Sequence, residues 1–266
     1  MVSEMTITCR DWQNKRPLAV FRSTPQLQKL TLDSASVHVQ DLAHMHNLAK
    51  LALISCTLTI PPPSTRLSVR HLRISRMQGS NSAKVHSSVN PDIFPKLTEL
   101  DLDHAREIDI SWLAPQLSAL QLVTQFTEFF VRRYRLDIES LRLLSLDQYE
   151  SSRALPNLFR LPPFMLISDI RNHAALVQTL TYLFTTSTSK PGLKTLFAHC
   201  WVGKEEGTAA ETETDQLKAQ LRSKGIVVEI RPRAFSFSDA IRRMDAILLA
   251  EVKAAEEKEY ARIYGE

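Results

Sequence analysis

An α/β solenoid, with a right-handed, curved parallel sheet of about nine short strands and a C-terminal capping helix, is the fold class this sequence predicts. Three observations predict it. The first is leucine content: thirty-six leucines in 266 residues, against six glycines. The second is a spaced pattern, apolar-x-x-apolar-x-apolar, clearest in Leu97-Thr-Glu-Leu-Asp-Leu102. The third is its recurrence. Leu27, Leu48, Val69, Leu97, Leu117 and Ile138 open successive copies at intervals of 21, 21, 28, 20 and 21 residues. Repeats of roughly 20–29 residues on such a core are leucine-rich repeats.

The elements follow in order. Residues 1–24 form an N-terminal cap, in which Met5-Thr-Ile-Thr reads as a short strand and Cys9-Arg-Asp-Trp leads into a basic linker. Solenoids need such caps because an end repeat has one open face. The repeats proper occupy 25–233. Leu30 and Leu32, Leu51 and Leu53, Leu72 and Ile74, Leu100 and Leu102, and Leu120 and Leu122 complete the first five copies; Leu141 and Leu143 complete the one opened by Ile138. The last three positions of each copy alternate, so the leucines enter the core and the spacers face the concave side. Asp41–Leu48 reads as a short helical return, and Pro61-Pro-Pro breaks the next one. Ser80–Val89 reads as a polar excursion. Phe126, Phe129, Phe130 and Tyr134 lie at helical spacing and read as core.

Beyond Leu146 the pattern loosens. Phe164-Met-Leu-Ile is a strand behind two prolines. A helix capped by Asp169 or Asn172 runs to about Phe184, with Leu176, Leu180 and Leu183 on one face. Thr185–Lys190 is a linker. Leu193, Leu196 and Ala198 restart the repeat. The acidic stretch Gly203–Asp215 is a loop; Asp215 caps a helix that stops at Gly225, and Ile226–Ile230 is the final strand. Ser236 or Ser238 opens a helix to about Ile263, striped by Ile241, Met244, Leu248, Val252 and Ala255. It constitutes the capping element at 234–266, laid across the last repeat of a single structural domain.

Composition excludes several classes. With so few glycines, a Gly-rich phosphate loop is not expected. Cys9, Cys56 and Cys200 make neither a disulfide framework nor a metal motif, and reduced thiols are expected. The N-terminus lacks a basic region followed by an apolar run, and no stretch approaches the length of a membrane span. A cytoplasmic or nuclear location, without membrane partners, is expected. His44 and His46 point to different helix faces, and His199 and Cys200 to opposite faces of a strand, so no metal is expected. Asp101, Asp103 and His104 lack a neighbouring nucleophile motif. The chain is expected to have no catalytic residues, no cofactor and no enzymatic activity.

Charge placement is the informative feature. Net charge is +4, yet no acidic residue lies between Asp41 and Asp92, a span holding Lys50, Arg66, Arg70, Arg73, Arg76, Lys84 and four histidines. Alternation aims His71 and Arg73 at the concave side, with Lys50 one strand away. The next strand aims Glu99, Asp101 and Asp103 the same way. Either these charges neutralise each other across strands, or they form a template for a charged partner. The candidate partner-binding residues are Lys50, His71, Arg73, Arg76, Glu99, Asp101, Asp103, Gln121 and Arg142.

The cores Leu48-Ala-Lys-Leu-Ala-Leu, Leu97-Thr-Glu-Leu-Asp-Leu and Leu117-Ser-Ala-Leu-Gln-Leu resemble the irregular leucine-rich repeats of F-box proteins, particularly the large fungal sets, over residues 25–231. The resemblance implies a ubiquitin-ligase substrate receptor: in that family an F-box binds a Skp-type adaptor and the repeats hold the substrate. No Leu-Pro-x-Glu type F-box helix precedes the first repeat here, so a Skp-type adaptor is an expected partner only if an F-box lies upstream. The expectation is therefore a non-enzymatic protein-interaction scaffold. The alternative is a phosphate- or nucleic-acid-binding module using the basic 50–84 stretch, although the aromatic interleaving of single-strand binders is missing there.

Overall fold

The computed structural model describes residues 3–8, 23–59, 65–76, 92–103, 116–123, 140–147, 161–189, 192–200, 208–231 and 235–264. Among these, ten strands form one parallel sheet: β1 (Glu4–Thr8), β2 (Lys29–Asp33), β4 (Lys50–Ile54), β6 (His71–Ser75), β7 (Glu99–Asp103), β8 (Ala119–Val123), β9 (Leu143–Asp147), β10 (Phe164–Ile170), β11 (Thr195–Cys200) and β12 (Val227–Arg231). They lie side by side in chain order, as in a solenoid. Two further strands, β3 (Ser36–His38) and β5 (Thr57–Thr59), pair on the return side of the first turns. Met5–Thr8 thus joins the sheet as a tenth strand beyond the nine expected.

The register explains the leucine pattern. Leu30 pairs with Leu51, which pairs with Leu72, then Leu100, Leu120, Leu144, Met165, Leu196 and Val228. A second ladder runs from Leu32 through Leu53, Ile74, Leu102, Leu122, Leu146, Ile167 and Ala198 to Ile230. Nearly all these side chains are buried in one continuous core. Each fully buried leucine contributes about 2 kcal/mol of transfer free energy. After β2, β4, β6 and the regular part of β10 the chain turns through a left-handed residue: Ser34, Ser55, Arg76 and Asp169 all have φ between 52° and 58°. The N–H groups of Ser34, Ser55 and Arg76 donate to the last carbonyl of the following strand, so the turn leaves the ladder satisfied.

The returns differ from expectation in three places. The expected helix over Asp41–Leu48 is a 3-10 turn at Val39–Leu42. The helix after β10, α1 (His173–Ser189), absorbs the expected linker from Thr185. Its cap is Asn172, whose side-chain oxygen accepts from the Ala175 N–H at 2.8 Å; Asp169 is the turn residue instead. The helix after β11, α2 (Thr208–Ser223), begins inside the stretch expected to be a loop, and Asp215 lies within it, paired with Lys218. Glu213 and Asp215 lie on its exposed face. It ends at Gly225, φ 79°, with Gly225 and Ile226 donating back to Arg222 and Leu221, an arrangement that needs a left-handed residue. The expected helix of Phe126–Tyr134, the excursion at 80–89, Trp12 and His104 lie outside the described residues.

One repeat was misregistered. Leu141, Leu144 and Leu146, not Ile138, Leu141 and Leu143, hold the core positions of β9; Leu143 faces the concave side. The cause is the final helix, α3 (Phe237–Tyr264). It reaches the last repeat but packs inside the concave face, where Phe237, Ala240, Ile241 and Met244 bury themselves against Ala119, Leu143, Phe164, Leu166 and Phe197. Strands β9 to β11 are therefore covered on both faces, and their sequences lose the alternation on which registration depends.

Candidate functional site

The concave spacers stand in rows across neighbouring strands. One row runs Glu4, Lys29, Lys50, His71, Glu99, Ala119; the next runs Thr6, Thr31, Ala52, Arg73, Asp101, Gln121. Beyond β8 the rows turn apolar, where α3 covers them. The open face is therefore the N-terminal part of the sheet, bounded by the first turn of α3.

Between β6 and β7 the charges meet in register. His71 Nδ1 lies 3.0 Å from Glu99 Oε2. Arg73 Nε lies 3.3 Å from Asp101 Oδ2, and its Nη2 lies 3.8 Å from Asp103 Oδ2. Ser75 Oγ donates to Asp103 Oδ2 at 2.9 Å. Cross-strand neutralisation, one of the two expected readings, is thus what these side chains do. Asp101 is nevertheless only 7% exposed. Burial pushes its carboxyl up from 3.8 to about 6; Arg73 and His71 oppose that and Asp103 adds to it. Desolvation outweighs the single guanidinium because Arg73 is itself half in water and shared with Asp103.

Two cavities line this surface. One, about 340 Å³, is walled by Glu4, Lys29, Thr31, Lys50, Ala52 and His71. The other, about 390 Å³, is walled by Asp103, Gln121, Leu166, Ser168, Asp169, His199 and the residues Phe235–Ser238. Arg73, Asp101 and Ser238 belong to both, so the two form one groove.

The α3 N-terminus closes the groove's far wall. Ser236 and Asp239 form a reciprocal cap: Ser236 Oγ accepts from the Asp239 N–H at 3.1 Å, and Asp239 Oδ2 accepts from the Ser236 N–H at 2.9 Å. Ser236 Oγ also donates to Asp239 Oδ2 at 2.6 Å; that bond first, with the Ser236 N–H beside it, holds the Asp239 carboxyl below its ordinary range, and Arg242 adds to them. Phe237 meets the His71 ring edge-on at 6.4 Å. Farther along, Arg243 holds Glu229 of β12 at 2.8 Å and Lys194 meets Glu251 at 3.3 Å. Asp245 has its carboxyl raised by burial and by Glu99, with Arg142 opposing.

Of the nine candidates, Lys50, His71, Arg73, Asp101, Asp103 and Gln121 line the groove. Glu99 is held by His71 beside it. Arg76 occupies the turn after β6 and lines neither cavity. Arg142 precedes β9 because of the register correction, and it lies outside both walls. The groove adds Ser168, Asp169, His199 and Phe235–Ser238. The register of β10 and β11 places Ser168 and His199 on the concave side, a placement that the buried runs before them hide in the sequence; nothing local marks Phe235–Ser238 as groove. Among the described residues no group of three or more His, Cys, Asp or Glu is placed to hold a metal, and no helix is long and apolar enough to cross a membrane.

The fold and groove define a class: a leucine-rich-repeat-like α/β solenoid whose inner face is part open groove and part seat for its own C-terminal helix. No protein-family model matches the chain, and neither does any curated protein or solved structure.

Proposed function

We propose that this chain is a non-enzymatic protein-interaction scaffold that holds a segment of a partner along its concave groove, as the substrate-recognition part of a ubiquitin ligase related to F-box proteins. The observation carrying this reading is the continuity of the two cavities through Arg73, Asp101 and Ser238. From β1 to β11 the groove spans eight strand spacings, about 38 Å, room for about eleven extended residues. The ubiquitin-ligase part rests on the repeat resemblance. The phosphate- or nucleic-acid alternative is not favoured, because the Arg73 guanidinium at its centre faces two carboxylates.

The test is affinity purification of the full chain beside an Ala52→Arg variant. Ala52 lies half-buried in the groove floor, so arginine there fills the space while its head reaches water. Recovery of a ubiquitin-ligase scaffold or a Skp-type adaptor with both chains supports the ligase reading, and at least one further protein is expected with the wild type alone. Recovery of neither ligase component removes the ligase reading. Identical protein sets for both chains, at equal thermal stability, remove the groove-scaffold reading.

A further inference from the structure

We infer that the groove selects a partner segment by charge order: an extended stretch carrying an acidic side chain and, about three to seven residues away, a basic one. The inference rests on the scaffold reading above and specifies its ligand.

The two cavities differ in sign. The one over β1 to β6 has Lys29, Lys50, Arg73 and His71 on its walls against Glu4 and Asp101, a basic excess among the described residues. Lys29 is held by Glu4 at 3.2 Å, but exposed Lys50 has no ion pair among the described residues. The one reaching β10 and β11 has Asp101, Asp103 and Asp169 on its walls, with Arg73 as the single lysine or arginine among the described residues. Arg73 is engaged by the first two of these. Asp169 stands exposed in a left-handed turn, unpaired among the described residues. Phe235 and Phe237 wall the same cavity, and aromatic faces favour an adjacent cation. An acidic side chain thus meets Lys50 at one end, and a basic one meets Asp169 and the aspartate pair at the other.

Strand geometry sets the spacing. Lys50 on β4 stands two strand positions from the Asp101–Asp103 pair on β7 and five from Asp169 on β10. At 4.8 Å per strand these are about 10 and 24 Å measured across the strands, a minimum of about three and seven extended residues. The apolar rows that could read a hydrophobic ligand are occupied by α3, so the open part of the groove discriminates by charge.

The experiment is selection of a displayed random dodecapeptide library on the full chain, followed by affinity measurement of selected peptides on wild type, Lys50→Glu and Asp169→Asn. Both substitutions are at exposed, unpaired positions, and asparagine tolerates the left-handed turn, so thermal melts should match the wild type. The expected result is enrichment of peptides with an acidic and a basic residue three to seven apart. Each variant should weaken them roughly two- to fivefold, the effect of one exposed ion pair. Exchanging the two charges within a selected peptide should weaken it further. Selected peptides lacking the charge pair, or affinities indifferent to both variants, overturn this inference and leave the scaffold reading standing. Enrichment of no peptide at all overturns both.

Discussion

Asp101 is the residue where folding and recognition conflict. Its backbone position is set by the leucines on either side, which must enter the core, so the carboxyl is carried beneath Arg73 and the α3 N-terminus whatever the electrostatic cost. A carboxyl raised to about 6 binds its proton more tightly in the folded than in the unfolded chain. Its charge therefore costs stability above about pH 6, and the cost fades as pH falls towards about 4. At 1.36 kcal/mol per pH unit this amounts to about 3 kcal/mol. Asp101→Asn removes the charge while keeping an acceptor for Arg73. Thermal melts at a series of pH values should show the variant at least as stable as the wild type at pH 7.5, with a flatter Tm profile between pH 4 and 6. A variant that melts several degrees lower at pH 7.5 would show that the Arg73 pair outweighs desolvation. The residue pattern was legible at this scale: alternation alone put His71, Arg73, Glu99, Asp101 and Asp103 on one face. Their pairing was not, because cross-strand partners depend on the register between segments 28 residues apart.

At the scale of the element, α3 is two helices in one. Its first turns carry Phe237, Ala240, Ile241 and Met244 into the concave core; from Leu249 onward every described side chain except Ala261 is exposed, including Val252, Tyr260 and Ile263. Its apolar stripe is continuous in sequence from Ile241 to Ala255, yet the sheet beneath ends before the stripe does. Burial, not periodicity, should then decide the energetics. Met244→Ala should cost about 2–3 kcal/mol by urea denaturation, because it leaves a cavity between the helix and the sheet. Val252→Ala, at the same kind of stripe position but more than half exposed, should change stability by less than about 0.5 kcal/mol. Equal costs would place the distal half of α3 against the protein as well. The helix start was readable to within two residues, Ser236 or Ser238, since a cap is a local device; the reciprocal bonds with Asp239 select Ser236. The docking site of the helix was not readable.

At the scale of the whole molecule, the described residues form two apolar cores on opposite faces of one sheet. The larger lies behind the strands and is built by the repeats; the smaller lies in front of β8 to β11 and exists only because α3 returns there. Removing the two parts of the C-terminal segment should separate these roles. A chain ending at Lys253 keeps every contact between α3 and the concave core and should melt with the full chain. A chain ending at Arg231 uncovers Leu143, Phe164, Leu166 and Phe197, a contiguous apolar patch of the kind that drives association. It should bind a hydrophobic dye and elute as aggregates. If it stays monomeric and dye-silent, α3 is dispensable to the fold.

What the sequence by itself determined is the solenoid. The x-x-L-x-L spacing is a local rule, satisfied within each of the regular strands, and repeated copies can bury their leucines only by stacking in order, so the ladder from Leu30 to Leu120 follows from the pattern. What only the tertiary structure decided is which part of the inner face stays open. That depends on residues 237–244 meeting residues 119–197, a contact between distant parts of the chain that no period encodes. Once α3 is seated, the spacers of β9 to β11 become core and Leu143 reverses its expected role. The groove is left to the charged rows of β1 to β7 and to Ser168, Asp169 and His199 at the ends of β10 and β11.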